Sequence, residues 1–498
     1  MFFRSTAAAL ICACAAYGTA LSDAVRNDDA AQVRALLRQR ADVNAQEPDG
    51  STALDWAVQT DNAELAELLL KAGANAATRT PDGVTPLSLA AQNGNAAIAK
   101  ALLDAGADAN QKLVGGETVL MAAARSGNTE FVDALLAHGA QVNGIGSEFG
   151  ETALMIAADA NQAGAVQALI AHGAEVNGRS AKLEYPKDRF GLEGVLTILP
   201  HGDWTPLMYA ARQGSADAAR ALCQAGAEVN AVDPDGTSAL LLAIINGHFD
   251  TASVLLDHGA DPNLADSAGM GPLYAAVDMN TLGEVYGQPP RPSTDKLQAL
   301  DLMKMLLEKG ADPNGRLKSP TLQRAHTPGE STLNTGTTPM MRAAKNGDVD
   351  AIKLLASHGA DVNAAAKNGT TALMFAAGLG RGVGTFAKDY ATDAEMIAAA
   401  KALVALGADV NTVSAAGQTP MHFAAEATDV NLPQPSDDMV KFLAAHGAKL
   451  NVADSRGRTP VEMAEGQGLR GRAGGPVKAR ESTIALLHAL MNGQSSSQ

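Results

Sequence analysis

The stretch Thr205 to Asn230, TPLMYAARQGSADAARALCQAGAEVN, decides the fold. It reads as two short helices and a turn. Thr205 is a good N-cap, and Pro206 takes the first helical position, where its missing N–H costs nothing. Leu207, Ala210 and Ala211 mark one face of the first helix. Gly214 breaks the chain, and Ala218, Leu222 and Cys223 form the apolar stripe of a second helix. Gly226 then supplies the left-handed residue that ends it. Neither helix is long enough to stand alone in water, so the unit must stack on others like itself.

The Thr-Pro-Leu or Thr-Ala-Leu start recurs near positions 19, 52, 85, 118, 152, 205, 238, 271, 338, 371, 419 and 459, most often 33 residues apart. Each start leads to an Ala-rich helix, a Leu-rich helix and an ending such as GADAN (106–110), GADPN (259–263) or GADVN (359–363). The fullest start is Thr419-Pro420-Met421-His422-Phe423-Ala424; most others carry Met in place of the His, as at Met121, Met155, Met208, Met341 and Met374, which reads as apolar packing between neighbours.

A 33-residue period with a T-P-L-H-x-A start resembles the ankyrin repeat, and the resemblance covers about twelve units. It implies an all-α solenoid of L-shaped helix pairs with short β-hairpin fingers and several loop insertions. With helices packed about 8–10 Å apart, the array would extend on the order of 100 Å. Terminal units act as caps. The array is expected to span 21–492, after a signal peptide at 1–20 and before a disordered tail at 493–498.

Departures from the period locate insertions. Thr152 to Thr205 is 53 residues, which lengthens the finger before Thr205. Further insertions fall near 279–295, 315–336, 378–392 and 429–437. In repeat arrays such loops carry function.

The formal charge of -16 argues against nucleic acid or an anionic membrane as the main partner. At the N-terminus, Arg4 precedes an apolar run from Ala7 to Ala16 and small residues at Gly18 and Ala20, the pattern of a signal peptide cleaved near Ala20. The run is too short to span a membrane. The expected location is the bacterial periplasm or the exterior; a lipid anchor at Cys14 is a weaker match. Cleavage removes Cys12 and Cys14, so Cys223 is left without a disulfide partner and reads as a small core residue.

His138, His172, His258, His358 and His446 share one repeat position, just before the Gly that ends the second helix, where an imidazole complements the last carbonyls. Units about 8–10 Å apart keep these rings from sharing a metal. GLGRGVG at 378–384 lacks the last Gly and the preceding strand of a phosphate loop. The sequence shows no H-E-x-x-H, P-loop, G-x-S-x-G or paired Cys, so no catalytic residue, metal or cofactor is assigned.

Two features suggest partner binding. The residue seven places after each start varies (Arg125, Asp159, Arg212 and Lys345 among others) and should line the concave face. Arg125, Arg212 and Lys345 are either anchors for an acidic patch or ordinary solvated charge. The finger 178–204 holds Tyr185, Arg189, Phe190 and Trp204 in a chain poor in aromatics. These residues form a binding hot spot, or the apolar run Val195–Leu199 makes a hairpin packed on neighbouring fingers. Arg212 would look toward this finger. The resemblance implies non-catalytic protein binding along the concave face and fingers; with the signal segment, the expectation is a monomeric scaffold that binds a protein in the cell envelope. The alternatives are an accessory or inhibitory subunit of one exported enzyme, and an enzyme with its site in the insertions.

Overall fold

The structure, a computed structural model, describes residues 20–184, 201–281, 295–319, 333–379, 391–427, 437–469 and 477–495. The signal segment with Cys12 and Cys14, the finger residues Tyr185, Arg189 and Phe190, and the 380–384 part of the glycine-rich loop lie outside the described residues.

Among the described residues the chain is all α, with 24 helices and no strand. The unit read from the sequence appears as Pro206–Gln213 and Ala216–Gln224. Thr205 caps the first helix by accepting a hydrogen bond from the Met208 amide at 3.4 Å. Gly214 and Gly226 both adopt left-handed backbone, at φ 78° and 89°, and so stop the two helices where a residue with Cβ would be strained. The same cap recurs at Thr52, Thr85, Thr118, Thr152, Ser238 and Thr338.

The fingers are tighter than the short β-hairpins expected. They are turns closed by isolated antiparallel bridges, such as Lys112 to Thr118 and Ala365 to Thr371. In the former, Leu113 N–H donates to Glu117 O at 2.7 Å and Gly116 N–H to Leu113 O at 3.0 Å, which leaves no room for a longer ladder. The closing helix runs Glu481–Ser495, because Gly493 keeps helical backbone instead of turning left-handed. Positions 493–495, read as tail, are therefore helical.

The chain divides into two compact units. One comprises Met1–Leu183 with Gly202–Ala231, the other Glu184–His201 with Val232–Gln498. Within each, first helices pack on first helices of the next repeat. Within the first unit, for instance, Ala153–Asp159 is covered by Val119–Ser126, by Pro206–Gln213 and by its own second helix. All seven residues of Ala239–Ile245 are buried, as are Pro206 to Ala211, so the apolar face read from periodicity is a fully enclosed helix. The small Ala pairs permit this close approach. Met121, Met155, Met208, Met341 and Met374 are all buried, as expected of packing between repeats.

Second helices are joined by asparagine clamps. Asn363 donates from Nδ2 to Gly407 O at 2.9 Å and accepts at Oδ1 from the Asp409 amide at 2.9 Å. The same pair of bonds is made by Asn44, Asn110, Asn143 and Asn177 in the first unit and by Asn263, Asn314 and Asn411 in the second. Each satisfies a glycine carbonyl and an amide two residues on, in the turn that follows the next repeat's second helix.

Candidate functional site

The long finger is closed at its base. Ser180 N–H donates to Trp204 O at 2.9 Å, and Trp204 N–H donates back to Ser180 Oγ at 3.0 Å. Asp203 N–H donates to Ala181 O at 3.1 Å, and the Arg179 guanidinium donates to Asp203 O at 2.8 Å. This closure turns Trp204 inward. Its ring is only 5% exposed and meets Tyr209 edge-on, with centroids 5.6 Å apart. An exposed aromatic anchor was expected here; the indole is packed instead, because it directly precedes the cap Thr205 and is held against the first turns of the helix.

Arg212 faces the end of this finger. Its guanidinium lies 5.2 Å from the Trp204 ring and 5.8 Å from the Tyr209 ring, and donates to Asp159 at 3.2 Å. Asp159 occupies the same repeat position one unit earlier and also accepts from Gln213 at 3.5 Å. Burial, with a smaller push from Glu151, raises the Tyr209 phenol to about 12 against hydrogen bonding from Ser180 and the charge of Arg212, so it stays protonated.

The other row residues are also engaged. Arg125 is paired with Glu117 from its own finger, although its side chain is 55% exposed. Asp278 is paired with Arg342 in a mostly buried contact. Lys345 ends the helix Pro339–Lys345 and is half-buried. The row therefore presents ion pairs, which at exposed positions contribute about 0–1 kcal/mol each to stability and remain open to competition by a partner.

Four of the five row histidines act as read, while His172 Nε2 lies 3.4 Å from the Asp133 carboxylate. Nδ1 of His138, His258 and His446 lies 2.8 Å from the carbonyls of Ala134, Val254 and Phe442, and that of His358 lies 3.0 Å from Leu354 O. His422 is fully buried: Nδ1 accepts from the Thr419 amide at 3.0 Å, and Nε2 lies 3.1 Å from Arg458 O. Burial holds its pKa below the usual histidine value. Burial also pushes the Cys223 thiol up to about 11, which leaves it a poor nucleophile. Among the described residues, no three His, Cys, Asp or Glu side chains gather as a metal site, and no helix is long and apolar enough to cross a membrane.

Sequence reading missed a set of exposed apolar fingertips. Val114 is 75% exposed, Ile145 56% and Phe149 47%, on consecutive fingers of the first unit. The signal was present in the stretches KLVGGE and GIGSEFGE, where Val114, Ile145 and Phe149 each directly precede a glycine instead of falling in a helical period.

Models of three-copy ankyrin repeats match residues 21–113, 107–180, 191–283 and 296–383, and a single-repeat model matches 416–455. The chain belongs to the ankyrin-repeat family. Among solved structures, the human ASB11 ankyrin repeat domain is similar at 26% identity, covering 49% of this chain and 98% of that chain, with a TM-score of 0.39. No curated protein matches the chain. Ankyrin repeats generally mediate protein–protein contact and are generally non-catalytic, which fits a surface built of exposed ion pairs and fingertips on a uniform core.

Proposed function

We propose that this ankyrin-repeat chain is a twelve-repeat, non-catalytic scaffold, exported to the cell envelope as a monomer, that recognises a protein partner through its first-helix row and its fingers. The observation that carries the reading is the contrast within one repeat. Core positions such as Ala210 and Ala211 are buried and alike from repeat to repeat, while the more accessible position beside them runs Arg26, Gln59, Gln92, Arg125, Asp159, Arg212 through the first unit. Such variation of charge on one scaffold suits electrostatic selection of a partner. The apolar run after Arg4 supports export.

The test is affinity capture by the tagged, full-length chain from a periplasmic extract. One stoichiometric protein is expected, and Arg125→Glu with Lys345→Glu should weaken its capture by about tenfold at unchanged helicity. Capture indifferent to both reversals refutes the row as the binding face. Retention of the chain in the cytosolic fraction refutes export. Hydrolytic or redox activity that survives purification and disappears on insertion mutants refutes the non-catalytic assignment.

A further inference from the structure

Neighbouring fingers are tied together by one main-chain bond that repeats. In the second unit, the carbonyl of the residue before the turn glycine accepts from an amide of the next finger: Asp235 O from Ser267 at 2.9 Å, Thr335 O from Lys367 at 3.0 Å, Asn368 O from Ala415 at 2.8 Å, and Ala416 O from Ser455 at 2.9 Å. In the first unit, Phe149 O accepts from Ala181 N–H at 2.7 Å. The donor is generally the second residue of a four-residue turn.

Among the described residues of the first unit, this tie is missing across the earlier fingers. The turns themselves are formed: Gly50 N–H donates to Glu47 O and Gly83 N–H to Thr80 O, both at 2.9 Å; Gly116 N–H donates to Leu113 O at 3.0 Å and Gly150 N–H to Ser147 O at 3.2 Å. The donor positions are Pro81, Val114 and Glu148. Pro81 has no N–H to give. The amides of Val114 and Glu148 make no such bond, and the carbonyls of Asp82 and Gly115 receive none. A row of unpaired main-chain groups is a template for an added strand.

Three of the five exposed large apolar side chains among the described residues fall on this same untied stretch; of the other two, Leu406 and Val413, the latter stands on a finger of the second unit tied through Ala415. Val114, Ile145 and Phe149 belong to the third and fourth fingers. These fingers adjoin, since a Cβ on Gly116 would stand 3.0 Å from Gly146 O. The third also leans on the second, with Val114 Cγ2 3.9 Å from a Cβ on Gly83. The exposed Glu148 lies between Ile145 and Phe149 in sequence, no cation occurs in 144–151, and the exposed Asp82 adds a second carboxylate; the cations nearby include Arg79, beside Gly83, and the exposed Lys112. The occupant that fits is extended, apolar and basic.

We propose that the tips of the second to fourth fingers bind an extended segment of another protein in which apolar and basic residues alternate, its main chain pairing with the untied amides of Val114 and Glu148 and its apolar side chains covering Val114, Ile145 and Phe149. This rests on the protein-binding function proposed above and assigns it a site and a partner chemistry. Main-chain pairing gives such a contact its affinity, and alternate side chains give its specificity.

The test uses the full-length chain and an acetylated six-residue peptide of alternating Lys and Val, followed by fluorescence anisotropy and by amide-exchange protection. The peptide is expected to bind, to protect the turns at 113–116 and 147–150, and to lose about tenfold in affinity against Val114→Ser with Phe149→Ser. Both residues are exposed, so the double variant keeps its melting midpoint. Glu148→Lys should shift preference to a Glu–Val peptide, and a backbone N-methylated Lys–Val peptide should not bind. Failure of the Lys–Val peptide to bind, equal affinity for the serine variant, equal affinity of the N-methylated peptide, or protection elsewhere overturns the proposal. If a captured native partner still binds the serine variant, the scaffold function stands and the fingertip site alone falls.

Discussion

Truncation of Trp204 to Ala should loosen the array at one joint. The side chain is 5% exposed, its ring stands edge-on to Tyr209 at 5.6 Å, and the Arg212 guanidinium lies 5.2 Å away. Removing a buried aromatic costs about 3–5 kcal/mol in lost transfer and cavity formation. That figure already contains the ring–ring and cation–ring contacts, each worth on the order of 0.5–1.5 kcal/mol. In a repeat array the loss falls mainly on the affected unit and its neighbour. Local opening around Pro206–Gln213 should therefore become about 10²- to 5 × 10³-fold more frequent, while Ala53–Gln59 stays near its original value. Native-state amide exchange read by mass spectrometry resolves the two segments. If exchange at 206–213 rises less than about fivefold, equivalent to roughly 1 kcal/mol, the packing argument is wrong. A variant that keeps native exchange but loses partner capture would restore Trp204 as a surface anchor.

Two other perturbations follow from the joints and from a buried acid. Asn363→Ala removes the bonds to Gly407 O and Asp409 N–H at a solvent-accessible end, and should lower stability by about 1–2 kcal/mol, read as a lower denaturant midpoint; no shift would mean that water replaces the clamp without loss. Glu426, half-buried, has its pKa pushed up to about 7 by desolvation, opposed by Arg458. The folded state thus holds this proton where the unfolded chain releases it, and stability falls as pH rises from about 4.5 through 7. Glu426→Gln should stabilise the protein at pH 8 by roughly 1–3 kcal/mol and have little effect at pH 4. His422 acts oppositely: its lowered pKa makes stability fall as pH drops below the unfolded value, so the Gln variant should show an acid limb on its own. A Gln variant with an unchanged alkaline slope would exclude Glu426 as its source.

Much of the scaffold was legible in the sequence because its signals are local. A Thr followed by Pro fixes a helix start within four residues, and Gly214 or Gly226 fixes a stop through backbone geometry alone. The repeated endings gave the period. What could not be read was pairing at a distance. Asp159 and Arg212 are each ordinary exposed charges until stacking sets them 3.2 Å apart. Trp204 looked like a finger anchor because its neighbours in sequence are finger residues; its burial depends on Ser180 closing the loop from the other side. Pro81 was visible throughout, yet its missing amide matters only once the ties in other fingers are known. The helix Ala239–Ile245 shows the same limit in the core: seven buried residues leave no amphipathic period to detect.

The asparagine clamps bear on how such a chain can change over generations. In each, the side chain grips only main-chain atoms of the following repeat, a glycine carbonyl and an amide, and ignores that repeat's side chains. The coupling is thus indifferent to what it couples. Gene duplication, loss or shuffling of whole repeats leaves each asparagine clamp chemically intact, so a lineage can lengthen, shorten or reorder the array and redesign only side-chain pairs such as Asp159 with Arg212.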